Sequence, residues 1–187
     1  MNAEKLLKHM AWANQEVISR LQQLPDETLK FYIDNPEWNV GEIARHIASS
    51  ATWYGWRLLD KTGLTEEEHQ TWKALLDETE IPPATMSDIP LILERLKKAD
   101  ARLLEEASKP EGTIERVVDG KTIIRARSTV ISQSVHHATE HRAQLVAALE
   151  KHGIKTINLD DFDLWAYCDA FGEWPPRIVQ SYIELFT

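Results

Sequence analysis

The sequence predicts an all-α fold: a four-helix bundle with a small β-hairpin before the fourth helix and a C-terminal extension. Three observations predict it. Four long stretches repeat apolar side chains every three or four positions, the signature of amphipathic helices. Asp119-Gly120 separates two short β-rich runs, a strong two-residue hairpin signal. One connection, residues 60–87, is long, which suits a bundle with a crossover.

The first helix fits residues 2–24, with Leu6, Met10, Ala13, Val17, Leu21 and Leu24 on one face. Pro25-Asp26 ends it. The second fits residues 40–59, with Val40, Ile43, Ile47, Ala51, Tyr54 and Leu58 as its stripe. Asn39 is its expected cap, with Glu42 reaching back and Trp38 and Ile43 spaced for a hydrophobic staple. Residues 60–87 are rich in Glu and Thr and contain Pro82-Pro83, but EEEHQTWKALL reads as a short helix. The third long helix fits residues 88–107, capped by Ser87 or Asp88, with Ile92, Leu96, Ala99 and Leu103 inward. The hairpin, TIERVVDGKTIIRAR, must lean on the helices, because an isolated hairpin is marginal in water. The fourth long helix fits residues 129–152 and stops at Gly153, a typical C′ glycine. A short helix follows in DDFDLWAYCDAFG, capped by Asp160 or Asp161. EWPPRIVQSYIELFT reads as an irregular tail, able to wrap the bundle or a partner subunit. No repeat or domain boundary interrupts this order, so one domain over residues 1–187 is expected.

Composition narrows the function. The 187 residues are 43% hydrophobic and 27% charged, an ordinary globular mix with room for a core. The net charge is −9 with no basic run, which disfavours nucleic acid and anionic membranes, whose binding depends on neutralising phosphates. The single cysteine, Cys168, excludes an internal disulfide. The N-terminus has no signal-type apolar core, and no run approaches the roughly 20 apolar residues of a membrane span. A cytoplasmic protein is the expectation.

The segment HHATEHRAQL, residues 136–145, places His137 and His141 one helical turn apart, about 6 Å along the axis. At roughly 100° per residue they fall on one stripe with Val130, Ser134, Leu145 and Ala148, while His136 points away. An inward imidazole needs a partner. A metal ion satisfies both at once; carboxylates or carbonyls inside the core are the competing explanation. His46 lies at the flank of the second helix's stripe, where it reaches a neighbouring helix. His9, His69 and His152 are placed less favourably.

Three spans together, LLKHMAWANQEVISRLQQLPDETL, WNVGEIARHIASSATWYGWRLL and HHATEHRAQLVAALEKHGI, resemble the DinB-like (DinB/YfiT) family of metalloenzymes. The resemblance covers most of residues 1–154. Its most specific piece is His137-x-x-x-His141-Arg142-x-Gln144, followed by an apolar run and Gly153. Trp38-Asn39-Val40-x-Glu42-x-x-x-His46 is the second anchor and Trp12-Ala13-Asn14 the third. The resemblance implies a bundle of variant up-and-down connectivity and a divalent metal held by His46, His137 and His141. One departure is small: the family often has Gly where Ala143 stands, on a face away from the histidines.

Three neutral imidazoles and an open position describe a catalytic type of site, one that acidifies a bound water or thiol. Thiol-dependent S-transfer with a low-molecular-weight thiol and metal-assisted hydrolysis of a small molecule both fit. A non-catalytic metal- or ligand-binding bundle of a stress response is the alternative. Zn or Ni suits imidazole best, and Fe or Mn is compatible. Asn14, Glu140, Arg142 and Gln144 are candidates to orient the imidazoles, Gln144 first. Trp12, Trp53 and Trp56 are candidates for an apolar pocket wall. The tail and the 60–87 connection offer surfaces for a homodimer.

Overall fold

The structure, a computed structural model, describes residues 3–61 and 63–172; the expected tail at 173–187 lies outside the described residues. Four long helices form the bundle: α1 (Ala3–Leu21), α2 (Val40–Leu58), α4 (Ile89–Ala107) and α5 (Arg127–Lys151). A shorter helix, α3 (Glu66–Thr79), occupies the long connection, and α6 (Leu164–Phe171) follows the bundle. The hairpin strands are β1 (Thr113–Val118) and β2 (Lys121–Ala126). Both α1 and α2 pack on α4 and α5, while α1 faces α2 and α4 faces α5 across the diagonals. Chain-consecutive helices α1 and α2 are therefore not neighbours. This is the variant connectivity, and it makes α2 and α5 adjacent.

Local chemistry explains most boundaries. The Asn39 side chain accepts the Glu42 backbone N–H, capping α2. Glu42 does not reach back as expected; its carboxylate pairs with Arg45 at 2.9 Å. Asp88 is the N-cap residue of α4, as expected, but its side chain points upstream rather than to the helix. Asp88 accepts the backbone N–H groups of Ala84 and Thr85, closing a 3-10 turn that leads into the helix. Helix α5 begins at Arg127, two residues earlier than expected, directly from β2. It ends before Gly153, which takes φ +85°. Asp163, not Asp160 or Asp161, caps α6. Asp119 and Gly120 both have positive φ, as a tight antiparallel turn requires.

Apolar packing runs through the bundle in two clusters. The larger joins Val17, Leu21, Ile43, Ile47, Leu96, Leu145 and Leu149. The smaller joins Leu7, Met10, Tyr54, Leu58, Leu103 and Ile131, with Ile114 of the hairpin leaning on it. The long connection packs through α3 onto α2 and α4, burying Trp72. A Cβ at Gly55 would stand 3.0 Å from that indole, so the missing side chain lets α3 approach.

Polar groups are also buried between α1, α4 and α5. Asp100 accepts a hydrogen bond from Gln15 at 2.8 Å, and its other carboxylate oxygen has no partner among the described residues. Arg142 donates to Asn14 at 2.6 Å. Burial pushes the Asp100 carboxyl up to about 7, against smaller opposing effects of Gln15 and the Arg142 charge. An unfolded Asp titrates near 4, so between about 4 and 7 the unfolded chain releases a proton that the folded chain keeps. This contribution to stability is full below pH 4 and is lost as pH rises through 7. Asp100→Asn is expected to flatten that slope, read as denaturant midpoints from pH 4 to 8. An unchanged slope would show that Asp100 does not titrate in this window.

Candidate metal centre

The seam between α2 and α5 brings three histidines together. His46 comes from α2, and His137 and His141 from consecutive turns of α5, all half-buried. His137 Nε2 lies 3.2 Å from His46 Nε2 and 3.1 Å from His141 Nε2. The remaining histidines are engaged elsewhere or face solvent. His9 meets the Phe162 carbonyl, His69 packs on Trp56, His152 stacks on Phe31, and His136 is exposed.

Gln144 organises the cluster. Its Oε1 accepts the Trp38 indole N–H at 2.8 Å and lies 2.9 Å from His141 Nδ1. An indole only donates, so the amide oxygen must face it. His141 Nδ1 must then carry the proton, which leaves Nε2 with a bare lone pair. No arrangement of protons on neutral rings satisfies both close contacts of His137 Nε2 separately. A proton there can serve His141 or be shared with His46; without it, His137 and His141 oppose lone pairs. A cation resolves the conflict by accepting all three. In a tetrahedral zinc site with Zn–N near 2.05 Å, nitrogens stand about 3.3 Å apart, close to the spacing here. The residues fit a metal ion.

The electrostatics agree. Burial, then the neighbouring His141 and His137, pushes His46 down to about 4. Burial also lowers His137, aided by His141 and partly opposed by Glu140. Both rings are therefore neutral at pH 7, the form that ligates.

Among the other sequence candidates, only Gln144 touches a clustered imidazole. Glu140 is exposed, and its charge is felt at His137. Asn14 and Arg142 are buried partners of each other, and Arg142 is no surface charge. Trp12 lies on the far side, packed with Tyr167 and Phe171. Trp53 and Trp56 line a cleft beside Tyr54, whose ring meets His137 edge-on at 5.6 Å. The residue that sequence reasoning missed here is Trp38. It was read as a staple, yet its ring packs edge-on to His46 and His141 at 5.1 and 5.4 Å. Trp38 precedes α2, where helical periodicity does not apply; its place beside the cap was the available signal.

The DinB family's sequence profile matches residues 1–173, a span that includes both helices of the seam. The chain belongs to the DinB family. It is 24% identical to Protein DinB of Bacillus subtilis (strain 168) over 164 residues, 84% of this chain and 90% of that protein. No solved structure gives a match. The DinB chain here has no helix, among the described residues, long and apolar enough to cross a membrane.

The tautomer is open to measurement. In metal-free protein His141 is expected to hold its proton on Nδ1, visible in long-range nitrogen–proton correlation spectra of the imidazoles. Gln144→Ala should relax that preference. A parent already protonated on Nε2 would contradict the assignment.

Proposed function

We propose that His46, His137 and His141 hold a divalent metal, Zn or Ni first, and that the protein is a metal-dependent enzyme acting on a small molecule. Thiol-dependent S-transfer and metal-assisted hydrolysis are the two reactions compatible with this donor set. The observation that carries the reading is the convergence of three Nε2 atoms at ligand spacing, where a single proton on His137 would have to serve two lone pairs at once. DinB membership and the half-burial of all three rings support it, because a substrate must reach the centre.

When bound, an ion held by neutral imidazoles supplies Lewis acidity that lowers the pKa of a water or thiol. The chain's own residues have distinct tasks. His46 is kept neutral by burial, so it needs no deprotonation at pH 7. Gln144 holds His141 in the ligating tautomer and Trp38 holds Gln144. Tyr54 packs edge-on against His137 and also lines the cleft beyond.

Elemental mass spectrometry of untagged protein tests the ligand set. About one metal per chain is expected in the parent, and none in a folded His46→Ala/His137→Ala variant. Gln144→Ala should bind the metal about 10–100-fold more weakly while keeping the fold. A parent that takes up neither Zn nor Ni would end this reading. Cobalt substitution then addresses catalysis: a small thiol that perturbs the optical spectrum supports an open position, and an inert spectrum points to a non-catalytic metal protein.

A further inference from the structure

A cleft of about 550 Å³ opens between α2, the hairpin and the first turns of α5. Its wall includes Trp53, Tyr54 and Trp56 from α2. Its charge is unlike the rest of the chain. Arg57, Lys61, Arg116 and Arg125 line it against one carboxylate, Glu115, in a protein with 30 acidic and 21 basic residues. Among the described residues none of the four cations forms an ion pair, although carboxylates are abundant elsewhere on the surface. The Lys61 ammonium stands 4.6 Å from the centre of the Trp56 ring, and the Arg57 guanidinium 5.4 Å from that of Tyr54.

The hairpin register explains how the cations arrive. Ile114 pairs with Arg125 and Arg116 with Ile123, so these four side chains share one face of the ribbon. That face meets the cleft. Ile114 packs on the smaller apolar cluster of the bundle, while Arg116 and Arg125 are exposed along the cleft. Lys61 is also held down, by burial first and then by the Arg116 charge, so the cations sit close enough to repel one another. An oxyanion would relieve that repulsion, and bidentate arginines are its best receptors.

The cleft leads toward the histidines. Tyr54 belongs to its wall and also packs on His137. Gln133, another wall residue, lies one turn before His137, roughly 6 Å along α5.

We propose that this cleft binds a small organic anion, a carboxylate or phosphate on a flat apolar body. The anionic group meets Arg116 and Arg125, and the body lies along Trp53 and Trp56 toward Tyr54. As an anion site the cleft stands on its own geometry; as the place where the substrate of the metal centre binds, it rests on the function proposed above.

The test titrates benzoate, phenyl phosphate and neutral benzamide into zinc-loaded and into chelator-treated protein, following the indole N–H resonances of Trp53 and Trp56. At least one anion is expected to bind about tenfold more tightly than benzamide, with or without metal, and comparing the two anions separates carboxylate from phosphate recognition. Arg116→Gln/Arg125→Gln should lose that preference while keeping its helical content and metal stoichiometry. Equal binding of all three compounds, or a preference that survives the double substitution, overturns the proposal. A preference lost on chelation but kept by the variant also overturns it, because the anion would then be sitting on the metal. If the parent binds no metal yet keeps the preference in the cleft, the anion site stands and only the metal-dependent function falls.

Discussion

The Gln144 side-chain oxygen takes two donors, the Trp38 indole and His141 Nδ1, and neither leaves it room to turn over. A flipped amide would set N–H against N–H at the indole. The orientation of one carboxamide thus decides which nitrogen of His141 is bare. That bare nitrogen faces His137, which in turn faces His46. In a metal-free protein one proton on His137 has two lone pairs to serve, and helix packing on both sides keeps the three rings together.

The bundle's connectivity makes this possible. With α1 and α2 on a diagonal, α2 gains α5 as a neighbour, and a histidine on the flank of the α2 stripe can meet a pair on α5. Helix α5 also carries Arg142, one position past His141 and roughly 100° around the axis, into a separate polar contact with Asn14. Two faces of α5 are therefore polar, one half-buried at the histidines and one fully buried at Arg142. Its apolar residues resume only at Leu145, and below that point the larger apolar cluster carries the packing.

The long elements were legible because their periodicity records burial directly: Ile92, Leu96, Ala99 and Leu103 all lie inward, as does the stripe of α2. The turn at Asp119-Gly120 was legible because its backbone needs residues that tolerate positive φ. Caps were less so. Near α4 and α6 several Ser, Thr and Asp residues compete within a few positions, and only the backbone geometry chooses among them. In the site, His137 and His141 were visible as one helix face, whereas His46 needed the resemblance, since spacing within a helix says nothing about a partner helix. Arg142 and Asn14 were expected to orient the imidazoles, but they are buried partners of each other instead. Only the packing of α1 shows that Arg142 is buried.

The cleft illustrates the same boundary between pattern and placement. The two β-rich runs flanking Asp119-Gly120 mark a ribbon, but not which face turns inward. Ile114 settles that, since it packs on the smaller apolar cluster and carries Arg116, Ile123 and Arg125 with it. A ribbon evolved for packing alone would place polar residues on its outer face and apolar ones within. Here two guanidinium groups share the inward face in an acidic protein, with exposed Val117 and Ile124 on the other. Both faces mix apolar and polar side chains, and a ligand in the cleft accounts for the two charges on the face that lines it. Cations thus gather near the start of α5 and neutral nitrogens meet midway along it, with Tyr54 between them.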